Sequence, residues 1–154
     1  MKDYCILGSG FSGSTIANLL SKKYTVEVFD KARGLGGRAS NRRFKKNLSF
    51  DHGLQYISPK NMKFKNFLNK LKNKKIIKVW EGNHINLRLI NKKKTDKYIG
   101  SRKNSDISKY LLRGIKVNFS SKIKTIKFNA FWTITLENGK KLNFKNVIIT
   151  CPFP

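Results

Sequence analysis

Apolar positions along this chain follow two rhythms, and the switch between them comes early. Tyr4 to Leu7 is an unbroken apolar run; glycines then interrupt it, a helical rhythm follows, and a second β-type run occupies 25–29. The spacing predicts a helix over 12–22, with Ile16, Leu19 and Leu20 turned inward and Ser12 as its cap. Ser58-Pro59 predicts the opening of a second helix, whose Phe64, Phe67, Leu68 and Leu71 recur at i, i+3, i+4 and i+7. Short strands are expected at 76–80, 85–90 and 97–99, joined by the turn-prone Gly82-Asn83 and the loop 92–95. A third helix is expected over 105–112, with Ile107, Tyr110 and Leu111 inward and Gly114 as its stop. Strands follow at 115–119, 122–128, 132–136 and 141–144, the last two joined by the hairpin signal Asn138-Gly139. The closing run, 146–150, is continuously apolar, as a central parallel strand is.

This order implies an α/β fold in three layers: a parallel sheet from 4–7, 25–29, 115–119 and 146–150, with helices and a β-meander packed on it. The first βαβ unit also carries chemistry. Gly8, Gly10 and Gly13 form a Gly-x-Gly-x-x-Gly loop between strand and helix. Gly8 allows the tight turn, Gly10 lets backbone N–H groups approach a pyrophosphate, and Gly13 admits close helix packing. The helix N-terminus favours an anion through its unpaired N–H groups and its dipole. Asp30 follows at the distance expected of the carboxylate that holds an adenosine ribose. Such a glycine pattern alone is a weak signal; the strand, loop, helix, strand and acid in sequence make it a dinucleotide signature. Directly after Asp30 comes a basic, glycine-rich stretch, Lys31 to Arg38, ending Gly36-Gly37-Arg38. Two glycines permit backbone approach, and Arg38 offers a charge-assisted contact to phosphate.

Composition changes the picture in one respect. Of 154 residues, 34 are Lys or Arg and 8 are Asp or Glu, a formal net charge of +26. A surface of that sign attracts polyanions. The excess is spread over many segments, accompanies abundant Asn and Ile, and comes with no nucleic-acid motif, so it reads as coding bias rather than a specific nucleic-acid site. No run approaches the ~18 apolar residues of a membrane span, and Asp3 with the glycines breaks any signal-peptide core. A cytoplasmic location is the expectation. Cys5 and Cys151 lie in apolar runs without metal or redox spacing, and are expected to be small buried hydrophobes. Neither His52 nor His84 has a partner at catalytic or ligand spacing, so no metal site is expected and the catalytic residues are unknown from sequence.

The stretches GSGFSGSTIANLL, VFDKARGLGGR and FDHGLQY together resemble the N-terminal half of FAD-dependent oxidoreductases of the amine-oxidase superfamily, the renalase-like subgroup above all. The resemblance runs to the C-terminus and implies a truncated FAD/NAD(P)-binding Rossmann-like domain, built from 1–40 and 100–154, with 41–99 as part of a second, substrate-side domain or an insertion. It implies non-covalent FAD, with NAD(P)H as a candidate reductant or substrate. A small-molecule substrate would give hydride to the flavin, and electrons would pass to oxygen. By motif position, Gly8, Ser9, Gly10, Phe11, Ser12 and Gly13 fall to the phosphate loop and Asp30 with Lys31 to the ribose. Gly36, Gly37 and Arg38 fall to the pyrophosphate, Gly53 and Gln55 to the flavin, and Ile123 to the adenine end through its backbone. Leu54 departs from the family, which commonly has alanine there. A missing second half would leave Ile148, Ile149 and Phe153 uncovered and favour self-association. Two rivals stand beside this reading: an NAD(P)-dependent dehydrogenase domain and a basic polyanion-binding protein.

Overall fold

The computed structural model describes residues 1–46, 48–81 and 96–151. The strand expected at 85–90, the turn Gly82-Asn83, the loop 92–95, His84 and Phe153 lie outside those residues. In chain order the elements are β1 (Lys2–Leu7), α1 (Phe11–Leu20), β2 (Val26–Phe29), a 3₁₀ turn (Gly37–Ala39), β3 (Asn41–Lys45), β4 (Leu48–Asp51), α2 (Met62–Asn73), β5 (Ile77–Val79), β6 (Tyr98–Gly100), α3 (Ser105–Leu111), β7 (Lys116–Asn118), β8 (Ile123–Asn129), β9 (Phe131–Leu136) and β10 (Lys141–Ile149).

Six strands form one sheet in the order β7-β2-β1-β10-β9-β8. The first four run parallel, and β9 and β8 continue the sheet antiparallel. Side chains of period two sort its faces. Ile6 and Val28 pack with Ala17 of α1 and with Leu112, while Cys5, Leu7 and Phe29 pack on the opposite side with Ile134, Leu136 and Phe144. Helices thus cover one face of the parallel strands and the meander packs against the other, the three layers that the element order implies. A further core joins α2 and α3 over the β5–β6 pair, through Leu68, Leu71, Ile77, Tyr98, Ile107 and Leu111.

The structure departs from the sequence pattern at identifiable points. α1 begins at Phe11 with Gly10 as its N-cap and no side-chain cap, so Ser12 does not serve as one. Leu19 is 60% exposed and Ala17 takes the inward position, because α1 lies so close to the sheet that a small side chain fits there. α2 starts at Met62, not at Ser58-Pro59: the Asn61 side chain accepts the Phe64 N–H at 2.8 Å and sets the start. The runs 141–144 and 146–150 form one continuous strand, since Phe144 bonds to β9 on one edge and to β1 on the other. β3 and β4 form a hairpin that the glycine and charge signals around it conceal. Cys151 is exposed just beyond β10, and both cysteines are free thiols.

Candidate functional site

The site is built at the ends of β1 and β2. The Gly8 N–H donates to Phe29 at 2.8 Å, and the Thr150 N–H to Leu7 at 2.9 Å, so the glycine loop leaves the sheet braced on both sides. Gly8 has φ +105°, and a Cβ on Gly13 would lie 2.0 Å from the Gly8 carbonyl oxygen and 2.7 Å from the Thr150 hydroxyl. Only glycine at both positions lets α1 start this close to the strand. Thr150, just past the end of β10, is therefore the side chain against which the loop is moulded.

Gly10 differs in kind. Its φ is −70°, open to any residue, and no protein atom would come within 3.8 Å of an added Cβ. The uncapped first turn of α1 opens beside it. A bare backbone beside an uncapped helix start, in van der Waals reach of Gly36 and Gly37 and with no side chain between, is a cradle that fits a phosphate. The second glycine loop meets the first here: Gly36 forms a parallel bridge to Gly10 and donates its N–H to the Ser9 carbonyl at 3.2 Å. Gly36 (φ +112°) and Gly37 (φ +52°) then turn the chain into the 3₁₀ turn that carries the exposed Arg38. Two glycine loops, separated in sequence by α1 and β2, form one surface.

Asp30 lies at the end of β2. Its Oδ2 accepts from the Ser9 N–H (2.7 Å) and hydroxyl (2.5 Å), and its Oδ1 from the Ala32 N–H (2.8 Å). A carboxylate has about four lone-pair sites, so Oδ1 keeps one for a ligand hydroxyl. Ser9 is fully buried and turned toward Asp30, holding the acid in place. Phe11 likewise points away from the cradle, edge-on to Phe64 and Phe67, so only its backbone faces the loop. Ser12 and Lys31 are exposed. The Ser121 N–H donates to the Asp30 carbonyl and the Ser120 N–H to Ala32, which brings the β7–β8 connection, and Ile123 after it, alongside the acid.

Gly53 (φ +88°) stands against the other end. Its missing Cβ would lie 2.6 Å from the Arg38 carbonyl oxygen, which also accepts the Leu54 N–H at 2.9 Å. Gln55 is exposed one residue further on. The residues singled out from sequence thus form a strip from Ile123 through Asp30 and the two glycine loops to Arg38 and Gly53. Beside it, His52 Nε2 lies 3.1 Å from the Ser40 hydroxyl, at the edge of an open recess of about 560 Å³ lined by Arg42, Phe44 and Phe50. Among the described residues no cluster of three or more His, Cys, Asp or Glu could hold a metal, and no helix is long and apolar enough to cross a membrane.

Comparison with known proteins agrees with this architecture. Residues 6–71 match the family of NAD(P)-binding Rossmann-like domains. Among solved structures, a double mutant of putrescine oxidase made to redesign cofactor binding superposes with a TM-score of 0.72 at 14% identity, over 98% of this chain and 58% of that one. Tetracycline destructase Tet(51) superposes with a TM-score of 0.60 at 14% identity, over 97% and 38%. The Diels-Alderase PyrE3 of pyrroindomycin biosynthesis gives 0.60 at 12%, over 97% and 32%. The fold is that of a Rossmann-like dinucleotide-binding domain, and the chain spans 32 to 58% of the length of these structures.

Proposed function

We propose that this chain binds FAD non-covalently and is the nucleotide-binding part of a flavin oxidoreductase of the renalase-like or amine-oxidase-like kind. The observation that carries the proposal is the junction of Gly10 with Gly36: a single glycine loop serves a nicotinamide dinucleotide, whereas two joined loops followed by Arg38 and Gly53 suit a longer cofactor. Asp30 would hold the adenosine ribose through its free lone pair, with Lys31 beside it and the chain at Ile123 against the adenine. The Gly10 cradle, the N–H groups at Phe11, Ser12 and Gly13, and Arg38 would hold the pyrophosphate. Gly53 and Gln55 would border the flavin. When bound, the flavin supplies the redox chemistry, accepting hydride from a small-molecule substrate and passing electrons to oxygen; the protein supplies position and electrostatics. Residues 41–99 would form part of a second, substrate-side domain or an insertion.

The test is direct. Purified protein should show flavin absorption bands near roughly 370 and 450 nm, or acquire them with added FAD. Asp30→Ala should weaken FAD by about 1.5 to 3 kcal/mol, the worth of hydrogen bonds to a charged acceptor. An NAD(P)-dependent domain, favoured by the name of the matching family, would instead bind nicotinamide dinucleotides and show no visible band. Co-purified nucleic acid absorbing at 260 nm would favour the polyanion reading.

A further inference from the structure

Gly53 to Gln55 border the proposed flavin end; the Leu54 side chain packs on the α2–α3 core, and the backbone of the segment is held on both sides. On one side the Leu54 N–H donates to the Arg38 carbonyl at 2.9 Å. On the other, the Leu54 carbonyl accepts from Asn104 Nδ2 at 2.8 Å. Asn104 is 2% exposed, and it ties the stretch 51–54 to its own loop at Gly100. Its Oδ1 accepts the Gly100 N–H at 2.8 Å, and its own N–H donates to Asp51 Oδ2 at 3.0 Å. Asp51 Oδ1 in turn accepts from Asn41 Nδ2 at 3.0 Å, tying β4 to β3.

Asn104 occupies the N-cap position of α3, where an asparagine side chain ordinarily accepts a first-turn N–H. It makes no such bond. Its amide is diverted to Gly100 and Leu54, so the residue best suited to cap the helix does something else. The diversion needs a planar group that donates at one corner and accepts at the other, which an aspartate cannot do and a serine cannot span. Gly100 makes the approach possible, because a Cβ there would lie 2.1 Å from the Lys103 carbonyl oxygen.

We propose that Asn104 is the positioning residue of the flavin end of the site: with Asp51 it fixes the Leu54 peptide against Arg38, and so sets where Gly53 and Gln55 stand relative to the pyrophosphate loop. The inference rests on the FAD reading above. It separates two ligands. FAD would span both Arg38 and the Gly53 segment, whereas ADP-ribose carries only a ribose beyond the pyrophosphate and no flavin ring to meet that segment. Without the Asn104 bond the Leu54 carbonyl is released, and the short stretch between the Arg38 contact and the Ile57–Tyr98 bridge can shift, leaving the glycine loop and Asp30 untouched.

The experiment titrates FAD and ADP-ribose separately into the full chain and into Asn104→Ala and Asp51→Ala variants, with circular dichroism to confirm the fold. Asn104→Ala should lose about tenfold or more in FAD affinity, as a lost buried bond implies, while ADP-ribose stays within about twofold. Asp51 is exposed, so its removal spares the core, and Asp51→Ala should show the same selective loss at smaller size. The visible band of bound flavin should also shift in both variants, a change that mere loss of stability does not produce. Equal losses for the two ligands, or an unchanged FAD affinity in folded variants, would overturn the proposal. Should Asn104→Ala fail to fold, Asp51→Ala decides alone. Wild-type protein that binds ADP-ribose but gains nothing from the flavin half would instead sink the FAD reading, and with it any flavin end to position.

Discussion

Gly10 is a glycine that the polypeptide alone does not require, and Gly13 is one that it cannot do without. The contrast is testable by one methyl group at each position. Gly13→Ala drives its Cβ into a backbone carbonyl, which cannot yield as a side-chain end can. It should cost about 3 kcal/mol or more in chemical denaturation, the upper end of overpacking. Gly10→Ala should cost about 1 kcal/mol, the difference between glycine and alanine at an N-cap, yet weaken the dinucleotide sharply because the methyl stands at the junction with Gly36 and Gly37 where the phosphates would approach the backbone. Similar stabilities for the two variants would show that the cradle is not what distinguishes them. Glu27 is the other residue whose place decides its behaviour. It is buried in β2, which by itself would raise its pKa; hydrogen bonds from Lys2, Asn118 and Lys116 outweigh that and hold it below the usual glutamate value. Its contribution to stability is therefore full above the unfolded pKa of about 4.3 and is lost as pH falls through the lower folded value. Thermal melts of wild type and Glu27→Gln should differ most near neutrality and converge as the pH drops toward 3. A gap that persists in acid would mean that packing, not charge, is what Glu27 supplies. Beside it, burial first and the Glu27 charge second push the Cys5 thiol up to about 12, so it stays neutral and inert as a small core side chain.

At the scale of elements, α2 shows how far pattern reaches and where it stops. Phe64, Phe67, Leu68 and Leu71 form its inner face as their spacing predicts, because burial of a stripe is a local property of the helix. Its start is not local in the same way. Ser58 and Asn61 are both good caps by residue type, and only the course of the chain before the helix selects Asn61. Asn61→Ala should destabilise the protein by about 1 kcal/mol in denaturant unfolding, and fray α2 at its first turn. No measurable change would mean that the Phe64 N–H finds water as readily as the cap. The β3–β4 hairpin is the converse case. Arg42, Phe44, Leu48 and Phe50 do alternate, but basic neighbours and flanking glycines give the stretch the composition of a loop. β10 resists subdivision for a third reason: pairing on two edges cannot be seen from one strand's side chains.

Across the whole molecule, electrostatics is one-sided. Asp3, Glu27, Asp96, Asp106 and Glu137 are each committed to an ion pair, and Asp30 and Asp51 to hydrogen bonds, so few carboxylates remain to offset 34 basic side chains. Self-repulsion at a net charge of +26 should exceed what exposed ion pairs return, since such pairs are worth about 0 to 1 kcal/mol each. Raising salt from about 10 to about 150 mM shortens the screening length from about 30 to about 8 Å, and should raise the melting temperature. A fall would show that the ion pairs dominate. Of the apolar face expected around 148–153, Ile148 packs beside Ile6 and Val28 while Ile149 is 60% exposed.

The sequence by itself determined the βαβ order, the glycine loop, the acid after β2, the inner face of α2 and the turn at Asn138-Gly139, where Gly139 has φ +83°. Each is written in neighbouring residues, as periodicity, as a turn preference or as motif spacing. Tertiary structure alone decided that Gly36 meets Gly10, that Ser9 is spent on Asp30, that Thr150 moulds the loop, and that Asn104 reaches Leu54 instead of capping its own helix. Those are contacts between residues distant along the chain. Local pattern records which side chains must be buried and where the backbone must turn, but not which buried polar group or bare backbone will face which other.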